Sequence, residues 1–143
     1  MEDGLPEDDA RYLAGIVLFN RGDFFEAHEV WEAVWLDTCG PDKPFFQGLI
    51  QAAVGLCHFC NGNVRGAAKL YHSCRGYLQR FGPTHRGLDL ADFLQQMQTC
   101  FAPLLASDPP PAGLEITEEW IPTMTLDPEP ETWPDPDRYL PED

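Results

Sequence analysis

Residues 45–60, Phe-Phe-Gln-Gly-Leu-Ile-Gln-Ala-Ala-Val-Gly-Leu-Cys-His-Phe-Cys, constrain this chain more than any other stretch. Wound as a helix they are apolar around nearly the whole circumference, so other elements must cover them on every side. The chain has hardly any of the strict alternation that marks a half-buried strand, which leaves further helices to do the covering. Apolar spacing predicts them over residues 8–19, 24–37, 44–60 and 64–81, with a last one opening near Asp89 and carrying Leu90, Phe93, Leu94, Met97, Phe101, Leu104 and Leu105. Asp23 and Asn63 stand where N-caps belong, Pro44 suits a first helical turn, and Asn20-Arg21-Gly22, Cys39-Gly40-Pro41, Asn61-Gly62-Asn63 and Gly82-Pro83 punctuate the series. The expected fold class is all-α, a compact bundle of about five helices.

Past residue 107 the pattern stops. Nine of the fourteen prolines fall in residues 108–143, a density that forbids regular helix and favours extended chain. Leu114, Ile116, Trp120, Ile121, Met124, Leu126, Trp133 and Tyr139 are too many apolar groups for a wholly solvated segment. The expected organisation is an acidic N-terminal segment over residues 1–9, a bundle domain over 10–107, and an acidic, proline-rich tail over 108–143 that partly wraps the bundle.

Charge follows the same division. The formal net charge is −15, of which residues 1–9 contribute −5, residues 108–143 contribute −10, and the body balances to zero. A neutral body with acidic ends argues against nucleic acid, which demands a basic patch, and against anionic lipid; the acidity serves solubility. The first residues have neither the basic and apolar regions of a secretory signal nor the character of a transit peptide, and no apolar run approaches the roughly 18 residues of a membrane span. A cytoplasmic protein is expected. Five cysteines without framework spacing fit reduced thiols.

Residues 26–35, Glu-Ala-His-Glu-Val-Trp-Glu-Ala-Val-Trp, are the default place to look for a site, because they load one amphipathic helix with three carboxylates and an imidazole among bulky apolar groups. Phe24, Ala27, Trp31, Val34 and Trp35 form one arc of the wheel and Phe25 and Leu36 another, with His28 and Glu32 between them, stacked four apart. Glu29 lies a turn from Glu32, and Glu26 points closest to solvent. On the central helix Gln47, Gln51 and His58 share a narrow sector beside the small residues Gly48, Ala52 and Gly55, which would let a neighbour approach closely. The economical inference is that this polar stripe faces His28 and Glu32 and that each side satisfies the other's buried groups.

Two functions suit such a constellation. In one, a buried acidic and histidine pocket binds a divalent metal through His28 and Glu32, or a small polar ligand with Gln47, Gln51, His58, Glu26 and Trp35 around it, and supports hydrolysis with Glu29 or Glu32 as base and His28 as acid or ligand. In the other, the polar groups only fix helix packing, and the chain is a non-catalytic scaffold or interaction module, forming a homodimer or taking a protein partner through its aromatic residues and tail. The spacing fits neither the zinc-protease H-E-x-x-H helix nor the paired Glu-x-x-His of di-iron bundles. Cys57-His58-Phe59-Cys60 has the C-x-x-C spacing but lies at a helix C-terminus, where the dipole works against thiolate; small buried hydrophobes is the better reading.

Three blocks together resemble a known family. They are Phe19-Asn20-Arg21-Gly22-Asp23-Phe24-Phe25-Glu26-Ala27-His28-Glu29 with Trp31-Glu32 and Trp35; Phe46-Gln47-Gly48-Leu49-Ile50-Gln51-Ala52-Ala53; and Gly62-Asn63, Gly66-Ala67 and Leu70, followed by Gly87-Leu88-Asp89-Leu90. The chain resembles the domain of unknown function 309 family over about residues 10–105, the tail lying outside. The resemblance implies an all-helical bundle and a signature on Glu26, His28, Glu29, Glu32, Trp35, Gln47 and Gln51. It implies no particular reaction.

Overall fold

A computed structural model of the chain describes residues 7–141. Its helices are α1 (Glu7–Asn20), α2 (Phe24–Asp37), α3 (Lys43–Cys60), α4 (Val64–Leu78) and α5 (Leu90–Leu105). A 3-10 turn, Gln79–Phe81, extends α4. The all-α reading holds, and the observed boundaries fall within a few residues of those the spacing predicts. Each helix packs on the next, α1 on α2, α2 on α3, α3 on α4 and α4 on α5, as short connections dictate. No helix among the described residues is long and apolar enough to cross a membrane.

Local chemistry explains the ends. The Asn63 side chain accepts from Gly66 N–H at 3.0 Å, and Asp89 caps α5 by accepting from Asp92 N–H at 3.0 Å. Asp23 holds the N-cap position of α2 without making a side-chain cap bond, so its expected role is not realised. Pro103 sits inside the last turn of α5 without ending it.

The core is aromatic. Trp31, Phe19, Phe45, Phe46, Phe59, Phe93 and Phe101 are fully buried. Phe19 of α1 meets Phe24, Trp31 and Phe93 at ring separations of 5.0, 5.9 and 5.6 Å, tying α1 to α2 and α5. The Trp31 indole N–H donates to the Tyr12 carbonyl at 3.1 Å, crossing α1 where Gly15 leaves room for the ring. A Cβ on Gly15 would stand 2.0 Å from Trp31 Nε1. The small-residue strip of α3 works the same way toward α4: a Cβ on Gly48 would meet Leu78 at 2.6 Å, and Gly55 lies against Leu70 and Ala67.

Between α4 and α5 the chain makes a hairpin that periodicity did not reveal. Strands β1 (Thr84–His85) and β2 (Leu88–Asp89) pair antiparallel in the register Thr84↔Asp89 and His85↔Leu88. The turn between them puts Arg86 at φ 50° and Gly87 at φ 80°, the paired positive values a two-residue hairpin loop requires. Arginine in the first of those positions is not the residue by which such turns are recognised.

The segment after residue 107 is laid on the bundle. Met124 and Leu126 are buried, and Leu126 bridges to Leu88, adding to the hairpin edge. Two side-chain amides hold it by its backbone. Asn20 donates from Nδ2 to the Met124 carbonyl at 2.9 Å and accepts the Met124 N–H at 2.7 Å. Gln96 does the same to Thr123, at 3.0 Å in each direction. Asp89 N–H donates to Thr125 and Asp127 N–H to Gly87, at 3.0 and 2.8 Å. A 3-10 turn, Pro136–Tyr139, packs on α1.

Gly15→Ala is expected to destabilise the protein by about 3 kcal/mol in urea melts, because helix propensity gained at that position is far smaller than the cost of displacing a fully packed ring. Asn20→Ala is expected to cost about 1–2 kcal/mol and to speed amide exchange at Met124 while leaving Val30 and Leu49 protected; uniform loss of protection would mean that the strap and bundle open as one unit.

Candidate functional site

Helix α2 turns Phe24, Ala27, Val30, Trp31 and Val34 into the core. Its opposite side carries Phe25, Glu32 and Leu36, all exposed, with His28 and Glu29 half-buried beside them. On a helical wheel Phe25, Glu29, Glu32 and Leu36 span only about 60°. Glu26 is half-buried at the far edge of this strip, less exposed than the ideal wheel suggested, and Trp35 is half-buried at the near edge with the Lys43 ammonium 4.3 Å above its ring.

His28 and Glu32 do meet. Nε2 and Oε2 are 3.2 Å apart, but the side chains are 21% and 53% exposed, so this is an i,i+4 pair at the surface rather than part of a buried network. No polar or charged residue of the described chain is fully buried. The reason is geometric: α2 buries Trp31 and its apolar neighbours on one side only, and its carboxylates keep water on the other. His28 Nδ1 lies 3.1 Å from the Phe25 carbonyl. Both ring nitrogens therefore face oxygen.

The stripe on α3 does not answer that pair. Gln47, Gln51 and His58 are half-buried, and no hydrogen bond joins any of them to His28 or Glu32. His58 Nδ1 lies 3.3 Å from Asn63 Nδ2, across the α3–α4 turn. Gln51 keeps a buried Oε1 without a partner. The close approach foreseen for the small residues belongs to α4. Among the described residues no group of three or more His, Cys, Asp or Glu side chains is gathered to hold a metal. His28 and Glu32 make only two, although an Nδ1 held by a backbone carbonyl is a common way to orient a ligating imidazole.

The cysteines are free, and only Cys74 and Cys100 are buried. Burial pushes both thiols up to about 12, an effect to which the nearby Cys60 adds for Cys100. Cys60, expected as a small buried hydrophobe, is exposed at the end of α3; its partial burial and then Cys57 raise its pKa, in keeping with an unreactive C-x-x-C.

A second cluster was not foreseen. Asp42, just before α3, accepts from His85 Nε2 at 3.0 Å and from Arg86 Nη1 at 2.9 Å. His85 lies between the rings of Phe45 and Phe81, 4.7 Å from each. The Arg86 guanidinium covers Tyr12 and Phe46, and its carbonyl accepts from the Tyr12 hydroxyl at 3.2 Å. Partial burial alone would raise the Asp42 carboxyl, but the hydrogen bonds and charges of Arg86 and His85 outweigh it and hold its pKa below 3.8. The cluster pins the hairpin to α1 and to the start of α3. Residues so far apart in sequence, none with motif spacing, gave no local signal.

Comparison with known proteins bears out the resemblance read from the sequence. A family model described as Domain of unknown function (DUF309) matches residues 12–70. An uncharacterized protein of Aquifex aeolicus is 28% identical over 102 residues, 71% of this chain and 31% of that protein. The uncharacterized protein YpuF of Bacillus subtilis is 34% identical over 97 residues, 63% of this chain and 54% of that protein. The chain thus spans about a third and about half the length of the curated relatives it matches.

Asp42→Asn is expected to cost about 1 kcal/mol near neutral pH. Because the native carboxyl titrates below its ordinary value, its contribution is present above pH 3.8 and fades as pH falls through the lower native pKa. Urea melts of wild type and variant should therefore converge only as pH falls below the ordinary aspartate range; a constant gap across the range would assign the loss to packing rather than charge.

Proposed function

Because residues 12–70 match the DUF309 family model, we propose that this chain is a non-catalytic helical interaction module whose working surface is the outward strip of α2. The observation that carries this reading is the exposure of Phe25 at 54% and Leu36 at 65%, two large apolar groups on the same strip as the His28–Glu32 pair. Isolated exposed apolar residues are ordinary, but here they bracket the polar signature of the family. Eleven residues of helix set them about 16 Å apart, three turns, the length over which one helix reads another.

Charge narrows the partner. Glu26, Glu29 and Glu32 lie on or beside the strip, so an identical α2 from a second copy would bring like charges together. A partner helix with two apolar anchors three turns apart and Lys or Arg between them fits both features. That matched relatives extend well beyond the aligned region also favours a module that works alongside other segments.

A divalent cation on His28 and Glu32 is the second reading. It is favoured by the Nδ1 contact with the Phe25 carbonyl and by the short distance between the two ligand atoms. It needs ligands from water or from a partner, and hydrolysis through Glu29 or Glu32 would need the cation first.

The test uses a synthetic helical peptide with two leucines three turns apart and lysines between, titrated into the labelled protein and followed by amide NMR. Saturable shifts centred on α2 that disappear in Phe25→Ser/Leu36→Ser, with the fold unchanged, are expected. Shifts that map elsewhere or persist in the double variant would overturn the assignment. Adding zinc or manganese alone to wild type and His28→Ala distinguishes the cation reading, which requires a response at residue 28 without peptide.

A further inference from the structure

Helix α4 is a basic element in an acidic protein. It contains Arg65, Lys69 and Arg75 and no carboxylate, against a chain total of −15. Arg65, Lys69 and His72 are spaced four and three apart, share one face of the helix, and are exposed. They line an open cleft of about 610 Å³ together with Ala68, Leu104 and Leu105. The turn over residues 107–110 lines it as well, with Ser107 Oγ donating to the Pro109 carbonyl at 3.0 Å.

The cations there are not used by the fold. Among the described residues Arg65 and Lys69 make no side-chain hydrogen bond or ion pair, and Asp108, the carboxylate lining the same cleft, stands outside the 4.0 Å reach of an ion pair with either. Elsewhere Arg11 pairs with Asp37 and Arg86 with Asp42. Two unpaired cations and an imidazole on one wall, with leucine, alanine and proline surface beside them, make a site of mixed character. Its volume is that of a small-molecule site.

We propose that this cleft binds an amphiphilic anion. The carboxylate or phosphate head pairs with Arg65 and Lys69, with His72 as a further donor, and the apolar body lies along Leu105, Pro109 and Pro110. Arginine supplies the bidentate fork and lysine the point charge, a combination suited to one compact anionic head. A polyanion such as nucleic acid is disfavoured, because three basic side chains would have to hold it against the repulsion of the acidic remainder. The site is independent of the α2 surface, so failure of either proposal leaves the other standing.

The experiment titrates octanoate, octyl phosphate and inorganic phosphate separately into the full chain and follows backbone amides by NMR. Octanoate or octyl phosphate is expected to shift Arg65, Lys69, His72, Leu104 and Leu105 saturably, and whichever binds more tightly identifies the head. Inorganic phosphate should bind more weakly than octyl phosphate, since it leaves the apolar wall uncovered. Arg65→Glu/Lys69→Glu should weaken binding about tenfold or more, as loss of charge-assisted bonds predicts, while Arg21→Glu, an exposed control, leaves it unchanged. Lys69→Gln repeats the comparison if the double variant does not give the spectrum of folded protein. The proposal is overturned by the absence of saturable shifts, by affinity indifferent to the α4 substitutions, or by inorganic phosphate matching octyl phosphate, which would reduce the site to a patch of charge.

Discussion

The bundle is organised around one contact, the Trp31 indole laid across α1 at Gly15 with its N–H on the Tyr12 carbonyl. A buried tryptophan brings a large apolar area and one donor that must be satisfied, and both needs are met at the same crossing. Gly15 weakens α1 slightly as a helix, yet only a residue without Cβ lets the ring this close. From that fixed point Phe19 carries the aromatic packing to Phe93 of α5, while Tyr12 touches Phe45 and Phe46 of α3. Helices α1, α2, α3 and α5 are thereby referenced to one connected set of rings, which is why α2 has a defined outer strip.

The strap over residues 121–127 shows how an extended segment can be held without becoming a regular sheet. A proline-rich chain has few N–H groups to offer, so a long ladder is not available to it. Asn20 and Gln96 instead present their side-chain amides as substitute peptide groups, each giving and taking one hydrogen bond at a single residue. Met124 and Leu126 then bury their side chains on the bundle. Backbone recognition is indifferent to most side chains, which leaves the rest of the segment free to be acidic.

Helices α1 to α5 were legible because their caps, breakers and apolar spacing agree, and agreement across levels is what a foldable sequence supplies. The hairpin was not, since its positive-φ turn uses Arg86 where Asn or Gly would have signalled it. The polar stripe on α3 makes no hydrogen bond to His28 or Glu32: a wheel gives the direction of Gln47, Gln51 and His58 along their own helix but not which helix stands opposite. The burial of Glu32 was overestimated for a related reason. Bulky residues on both arcs of α2 suggested a helix enclosed on two sides, and the structure leaves Phe25 and Leu36 outside. The Asp42–His85–Arg86 cluster joins residues more than forty positions apart and could be read only from the fold.

The distribution of charge gives the last step. A neutral body does not mean a uniform one: α2 concentrates carboxylates on its outer strip, α4 carries cations without a carboxylate, and α3 lies between them. Such separation leaves like charges unneutralised along each helix, and neither arrangement contributes a stabilising i,i+4 salt bridge apart from His28–Glu32. Stability alone would favour mixing the signs, since interspersed charges support helices and single-sign faces do not. Keeping them apart is intelligible if each face meets something of opposite sign: a basic, apolar helix at α2 and a small amphiphilic anion at α4. Both surfaces place apolar groups directly beside the charge, Phe25 and Leu36 in one case and Leu105, Pro109 and Pro110 in the other, so that a ligand would have to match pattern as well as sign.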